Sequence, residues 1–149
     1  AHPAAIAALE GAHEVESQWS FLGRAFVSHI DAYVPGIVTE LKVTNDANPD
    51  RFPRLGQRMG YHVQLAMYGE AMQAQRGRIV AVEDKRPYVV QVFELSERAL
   101  EQGRKTFRLW TERLLACEAA NHWPPYCESV VPFDVPEDMV LDFSGLEAA

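Results

Sequence analysis

The stretch GIVTELKVT, Gly36 to Thr44, is rich in β-branched residues and reads as a strand, yet it carries Glu40 and Lys42 two residues apart. Side chains two apart in a strand leave the same face. Val38, Glu40, Lys42 and Thr44 therefore share one face. Ile37, Thr39, Leu41 and Val43 form the other, largely apolar one, which is expected to anchor the sheet.

Upstream, Arg24 to Tyr33 reads as a strand joined to this one by a turn through Val34-Pro35-Gly36. Alternation puts Ala25, Val27, His29 and Asp31 on one face of it. A hairpin at 34–36 brings Asp31 near Glu40, so two carboxylates and a lysine converge. Two close carboxylates repel unless a cation lies between them. Carboxylate oxygens with a backbone carbonyl suit Mg²⁺, which keeps several waters and takes its remaining contacts from a phosphate. The chemistry implied is metal-assisted hydrolysis of a phosphodiester, with Lys42 orienting or deprotonating the water. On spacing alone, a salt bridge of Lys42 with Asp31 or Glu40 on a solvent-facing sheet is the commoner outcome.

The surrounding pattern is that of a mixed α/β domain. A short helix over Pro3 to Glu10 stops at Gly11, and a strand from Val15 to Phe21 turns at Leu22-Gly23. Asn48-Pro49 signals a helix start, with Pro53 as a break, and the period is helical from Leu55 to about Gln75. Two more strands follow, Arg78 to Glu83 and Tyr88 to Glu94. Ser96 then opens a long helix to about Ala120. Helix, three strands, helix, two strands, helix makes an α/β (α+β) fold, with a five-stranded mixed sheet flanked by helices. Residues 1–149 are expected to form one domain, and residues 127–149 an acidic peripheral tail. The chain opens without a methionine, so a fragment or processed chain is expected.

Net charge is −7, but its distribution is uneven. Residues 1–50 hold 2 basic and 7 acidic side chains, residues 51–113 hold 12 and 7, and residues 114–149 hold 0 and 7. A basic middle can offer a phosphate-binding face on an acidic protein, although Arg-rich helices that solvate themselves give the same pattern. Arg51, Arg54 and Arg58 recur at helical spacing and are the candidate phosphate contacts. Trp19, Trp110 and Trp123 read as packing rather than base stacking. Cys117 and Cys127 read as reduced thiols in a cytoplasmic protein, and no apolar run approaches a membrane span.

After the strand, GYHVQLAMYG places Gln64 and Tyr68 four apart on one helix face. An aspartate, then ExK, then a helix bearing QxxxY resembles the RecB/RecE branch of the PD-(D/E)xK nuclease superfamily. KRPYVVQVFELSERALEQGRKTFRLW and the closing ANHWPPY are similar to the downstream half of RecE-like exonucleases of the exodeoxyribonuclease VIII type. The similarity runs from about His13 to Tyr126. It implies a restriction-endonuclease-like core and 5′-to-3′ resection of duplex DNA with Mg²⁺, for which Mn²⁺ substitutes. It also implies a homo-oligomer, a single-strand annealing partner and a role in recombination.

The resemblance further implies Asp31 and Glu40 as metal ligands, with the Leu41 carbonyl as a third, Lys42 as catalytic lysine, and Gln64 and Tyr68 flanking the site. Glu14 matches an acidic position on the first strand. Ile30 stands where the superfamily name has proline, and Glu40 where this branch usually has aspartate. The branch also uses a histidine on a helix before the first strand. Neither His2 nor His13 fills that place, so the histidine is expected upstream of this chain. Rival expectations are a DNA-binding or scaffold module of the same fold without turnover, and a restriction-type or helicase-associated nuclease.

Overall fold

A computed structural model describes residues 2–134. In chain order it runs α1 (Pro3–Ala8), β1 (Ala12–Phe21), β2 (Arg24–Val34), β3 (Ile37–Thr44), α2 (Phe52–Arg58), α3 (Tyr61–Met72), β4 (Arg76–Glu83), β5 (Val90–Glu94) and α4 (Glu97–Ala120). The five strands form one sheet in the order β1-β2-β3-β4-β5. All neighbours are antiparallel except β3 and β4, whose parallel pairing follows from the crossover through α2 and α3. The α/β architecture with a mixed five-stranded sheet is thus as expected. The tail from Cys127 to Asp134 is exposed and irregular, and the rest of the expected tail lies outside the described residues.

The core lies between the sheet and α3. Ile30, Val38, Ile79 and Ala81 from three strands meet Leu65 and Tyr68 of α3, with Phe52 and Leu100 closing the ends. On the other face α1 is only six residues long and packs on Val80, with Val82, Val90 and Val92 around it. It therefore covers β4 and β5 and stops short of β3.

That short cover corrects one expectation. Leu41 and Val43 share their face with Val80 and Val82 through the β3–β4 register, but they are 43% and 70% exposed. The β3 face that anchors the sheet is the one bearing Val38, Glu40 and Thr44, all buried under α3.

The helical region also differs in detail. Asn48 caps a turn, its Oδ1 accepting from the Asp50 N–H at 2.8 Å, and the helix begins only at Phe52. Pro53 falls in the first turn of α2, where a missing N–H costs nothing. The continuous helix expected from Leu55 is instead two, because Gly60 adopts a left-handed φ of 74° and starts α3 in a new direction. That helix ends at Met72, with Gln73 left-handed as its C-cap, and Gly77 lies within β4. The last helix has the expected limits, with Ser96 Oγ accepting from the Ala99 N–H.

Helices α3 and α4 cross closely at Gly103. A Cβ there would lie 2.2 Å from the His62 carbonyl oxygen and 2.8 Å from the Ala66 Cβ. Neither neighbour is the flexible end of a long side chain, so the helices must separate to admit a methyl group. Gly103→Ala is expected to destabilise the domain by about 1–3 kcal/mol despite the better helix propensity of alanine. Denaturant unfolding should show a lower midpoint, and an unchanged or higher midpoint would refute the close crossing.

Candidate active site

The β2–β3 ladder is short. Three pairs, Val34↔Ile37, Tyr33↔Val38 and Ala32↔Thr39, are followed by divergence, whereas β3 pairs with β4 over eight residues. Asp31 sits at the point of divergence. Ile30 and Tyr33 belong to one core cluster although their odd spacing would send them to opposite faces of a regular strand. Burial nevertheless alternates along β2 through Ala32, with Ser28, Ile30 and Ala32 buried, His29 exposed and Asp31 half-buried between them. His29 stays exposed opposite Glu16. On β1 the same place is marked by Glu14, whose φ of 49° interrupts the pairing between His13↔Ala32 and Val15↔Ile30.

Released from the ladder, the Asp31 carboxylate takes the next free donor of β3. Its Oδ2 accepts from the Leu41 N–H at 2.7 Å. The hairpin thus delivers Asp31 to the strand that carries Glu40, as the turn at 34–36 requires.

Glu40 lies in the layer beneath α3, close enough for the Asp31 charge to act on it. It is only 7% exposed. Its Oε1 accepts from Lys42 Nζ at 2.7 Å and from Gln64 Nε2 at 2.8 Å. Gln64 Nε2 also donates to the Tyr68 hydroxyl at 2.8 Å. The four-residue spacing of Gln64 and Tyr68 on α3 makes this chain of contacts continuous. The salt bridge that spacing alone suggested does form, between Lys42 and Glu40, but it is largely buried rather than on an open sheet.

Burial pushes the Glu40 carboxyl above its usual range. Lys42 and Gln64 pull it back only in part, and the Asp31 charge raises it further. Burial likewise raises the Tyr68 phenol against the hydrogen bond from Gln64, with Glu40 and Asp31 adding to the rise, so it remains a neutral hydroxyl at neutral pH. The decisive atom is Glu40 Oε2. It is buried and has no hydrogen-bond partner. A buried carboxylate oxygen left without a donor is costly, and a cation relieves that cost.

The donor set fits a hard divalent cation. Asp31 and Glu40 supply two carboxylates from adjacent strands, and the Leu41 carbonyl lies in the backbone between Glu40 and Lys42. Among the described residues no cluster of three or more His, Cys, Asp and Glu side chains forms. A cation held here thus rests on few protein oxygens and keeps waters, as Mg²⁺ does. His2 caps α1, its Nδ1 accepting from the Ala5 N–H at 3.2 Å, on the sheet face opposite α3.

Tyr61 was not among the expected site residues. Lys42 Nζ lies 4.9 Å from its ring centroid, so the aromatic face helps to hold the ammonium. Tyr61, Gln64 and Tyr68 stand three and four apart on α3, so extending the QxxxY face by one helical turn would have found it. Arg51, Arg54 and Arg58 are all exposed at the start and along the outer side of α2, and Arg51 pairs with Asp46 at 2.7 Å. They are not drawn into the carboxylate–lysine cluster.

In fold, the chain is similar to a crystal structure named "Putative exonuclease" from Eubacterium rectale, with a TM-score of 0.69 at 16% identity. The match covers 88% of this chain and 57% of that one, so the chain spans little more than half of its relative. A phage related exonuclease from Haemophilus somnus 129PT matches over 68% of this chain and 62% of its own at 11% identity, with a TM-score of 0.46, too low to carry an argument. No curated protein matches the chain in sequence. Residues 1–133 match the family described as PDDEXK-like domain of unknown function (DUF3799). The chain therefore belongs to this PDDEXK-like family and has its nuclease fold, with Asp31, Glu40 and Lys42 brought near one another by β2, β3 and α3.

Proposed function

We propose that the protein is a divalent-cation-dependent deoxyribonuclease that hydrolyses phosphodiester bonds from the ends of DNA. The observation that carries this reading is the Glu40 carboxylate, buried with Oε1 held by Lys42 and Gln64 and Oε2 left without a partner, one strand away from Asp31. A structural salt bridge has no use for an unpartnered buried oxygen.

A divalent cation held by Asp31 and Glu40, with the Leu41 carbonyl, would polarise the phosphate and lower the pKa of an attacking water. The chain's own residues do the positioning. Gln64 fixes the Glu40 carboxylate by one oxygen and leaves the other, Oε2, available as the oxygen that would hold a cation. Tyr68, a neutral hydroxyl, anchors Gln64 in turn. Lys42, held between Glu40 and the Tyr61 ring, is the cation that orients the water and neutralises charge on the phosphate. Glu14, at the interrupted place on β1, is a weaker candidate ligand. Arg51, Arg54 and Arg58 offer guanidinium groups to the DNA backbone on the outer side of α2.

The finer assignment is a RecE-like, 5′-to-3′ double-strand exonuclease in recombination, acting in the cytoplasm as a homo-oligomer beside an annealing protein, with Mg²⁺ or Mn²⁺. It is supported by the order of the motifs from Asp31 to Trp110. No helix among the described residues is long and apolar enough to cross a membrane.

The test is incubation of the longest expressed form with linear and covalently closed circular DNA, in Mg²⁺, Mn²⁺ or excess chelator. Linear DNA should be degraded in either metal and spared by chelator, and closed circles should persist. Cleavage of circles as fast as linear DNA would replace the end-directed reading with an endonuclease. Binding without cleavage in any metal would leave a DNA-binding module of the same fold.

A further inference from the structure

The fold leaves Trp110 55% and Met59 61% exposed, against the expectation that Trp110 serves packing. Trp19 does serve it, stacking on Phe26 at 5.1 Å and donating its Nε1 proton to Ser28 Oγ. Trp110 and Met59 are not scattered surface residues. With Val63, Met67 and Leu114 they line one groove of about 340 Å³ between α3 and α4, and Gln64 forms part of its wall. The Trp110 ring tip lies at the break between α2 and α3, where a Cβ on Gly60 would be 4.0 Å from its Cη2.

Three properties define what this groove can take. No charged side chain among the described residues lines it, so it is not a phosphate site. The hydroxyl of Thr111, which does line it, is spent on the Phe107 carbonyl at 2.9 Å. What remains is an indole, two phenyl rings, two thioethers, aliphatic groups and the Gln64 amide, a surface suited to a flat π system. Gln64 ties the groove to the candidate active site, since the side chain that walls it donates to Glu40 Oε1 at 2.8 Å.

We propose that this groove is a nucleobase subsite, which stacks one unpaired base of the DNA strand whose phosphodiester lies at Glu40 and Lys42. The proposal rests on the nuclease reading above and deepens it, assigning Trp110 as the stacking residue and Met59 as its companion. An unpaired base has the right chemistry because its π face needs no charge and its phosphate can lie outside. A partner helix could also use Met59, Val63 and Met67 at successive turns, but the contact of the groove-lining Gln64 with Glu40 favours a segment of the substrate. Stacking on an aromatic side chain is sequence-tolerant, so the subsite positions the strand without selecting a sequence.

The test uses linear duplexes with a short single-stranded end, in which one abasic residue is placed in turn at each position around the first cleaved bond. In the wild type one position should be sensitive, its abasic form being cleaved and bound about tenfold less well. In Trp110→Ala that penalty should disappear, Met59→Ala should reduce it, and Trp110→Phe should keep most of it. Both residues are more than half exposed, so the variants should fold, which their melting temperatures check. A penalty of equal size in Trp110→Ala, or no sensitive position in the wild type, would overturn the subsite alone. So would Trp110 fluorescence unmoved by the oligonucleotide, as for a groove already covered by protein. A wild type that cuts no DNA overturns the nuclease reading instead, and the subsite with it.

Discussion

Lys42→Ala is expected to abolish DNA hydrolysis while the protein remains folded and still binds DNA. The ammonium is held at two places, 2.7 Å from Glu40 Oε1 and 4.9 Å from the centre of the Tyr61 ring, so its position is set before substrate arrives. Positioned proton transfer contributes about 10²–10⁴-fold, and charge stabilisation at a phosphoryl centre about as much again. A loss of at least about 10³-fold in single-turnover rate is therefore expected. The change should fall on the chemical step, because the lysine is half-buried among site groups and lies apart from the exposed arginines of α2. Lys42→Arg should not restore activity, since a planar fork cannot keep both contacts of a compact ammonium. Single-turnover cleavage beside DNA binding by anisotropy separates the outcomes. Retention of more than about a tenth of the wild-type rate in Lys42→Ala would remove the lysine from the site, since one positioned proton transfer alone supplies about 10²-fold or more.

How much of this was legible in the sequence depends on the range of the forces involved. The strands, the β2–β3 turn and the full extent of α4 were legible, because alternation, turn residues and the Ser96 cap act within a few residues. The meeting of Glu40, Lys42 and Gln64 was legible through two short-range periodicities, two on the strand and four on the helix. Three things were not. The outward exposure of Leu41 and Val43 depends on how far a six-residue helix reaches across the other face of the sheet, and no local pattern encodes that. The freeing of Asp31 to reach Leu41 depends on the pairing interrupted at Glu14 on β1, a contact between strands that resumes in the same register on either side. The break at Gly60 is a single left-handed residue inside an otherwise helical pattern, and Gly60 was read through because the apolar period continues past it. Trp110 was misread for a related reason, since the helical pattern identifies apolar positions without saying that α3 stops short of covering this one.

Glu40→Gln is expected to separate the stability of the site from its function. Burial raises the Glu40 carboxyl, so folding binds its proton more tightly than the unfolded chain does. The sign follows from linkage. The carboxyl's contribution to stability is full below the ordinary carboxylate range and is lost as pH rises through its elevated folded value. At neutral pH without divalent cation the wild type therefore carries a buried, partly compensated charge. The amide removes that charge and keeps an oxygen to accept from Lys42 and Gln64, which stand at 2.7 and 2.8 Å from Oε1. In chelator at neutral pH, Glu40→Gln should melt about 2–4 °C higher than the wild type, the shift that about 1 kcal/mol produces at this size. Below the ordinary carboxylate range the two should converge, because the wild-type carboxyl is then protonated in both states. Added Mg²⁺ or Mn²⁺ should raise the wild-type melting temperature by binding the folded state and should leave Glu40→Gln little changed. Hydrolysis should fall with it, since an amide is a poorer ligand for a hard cation than a carboxylate. A variant less stable than the wild type at neutral pH in chelator would show that the Lys42 ion pair outweighs burial, making Glu40 a structural anchor. A variant that keeps the full metal-induced shift would place the cation elsewhere, and the unpartnered Oε2 would then need another explanation.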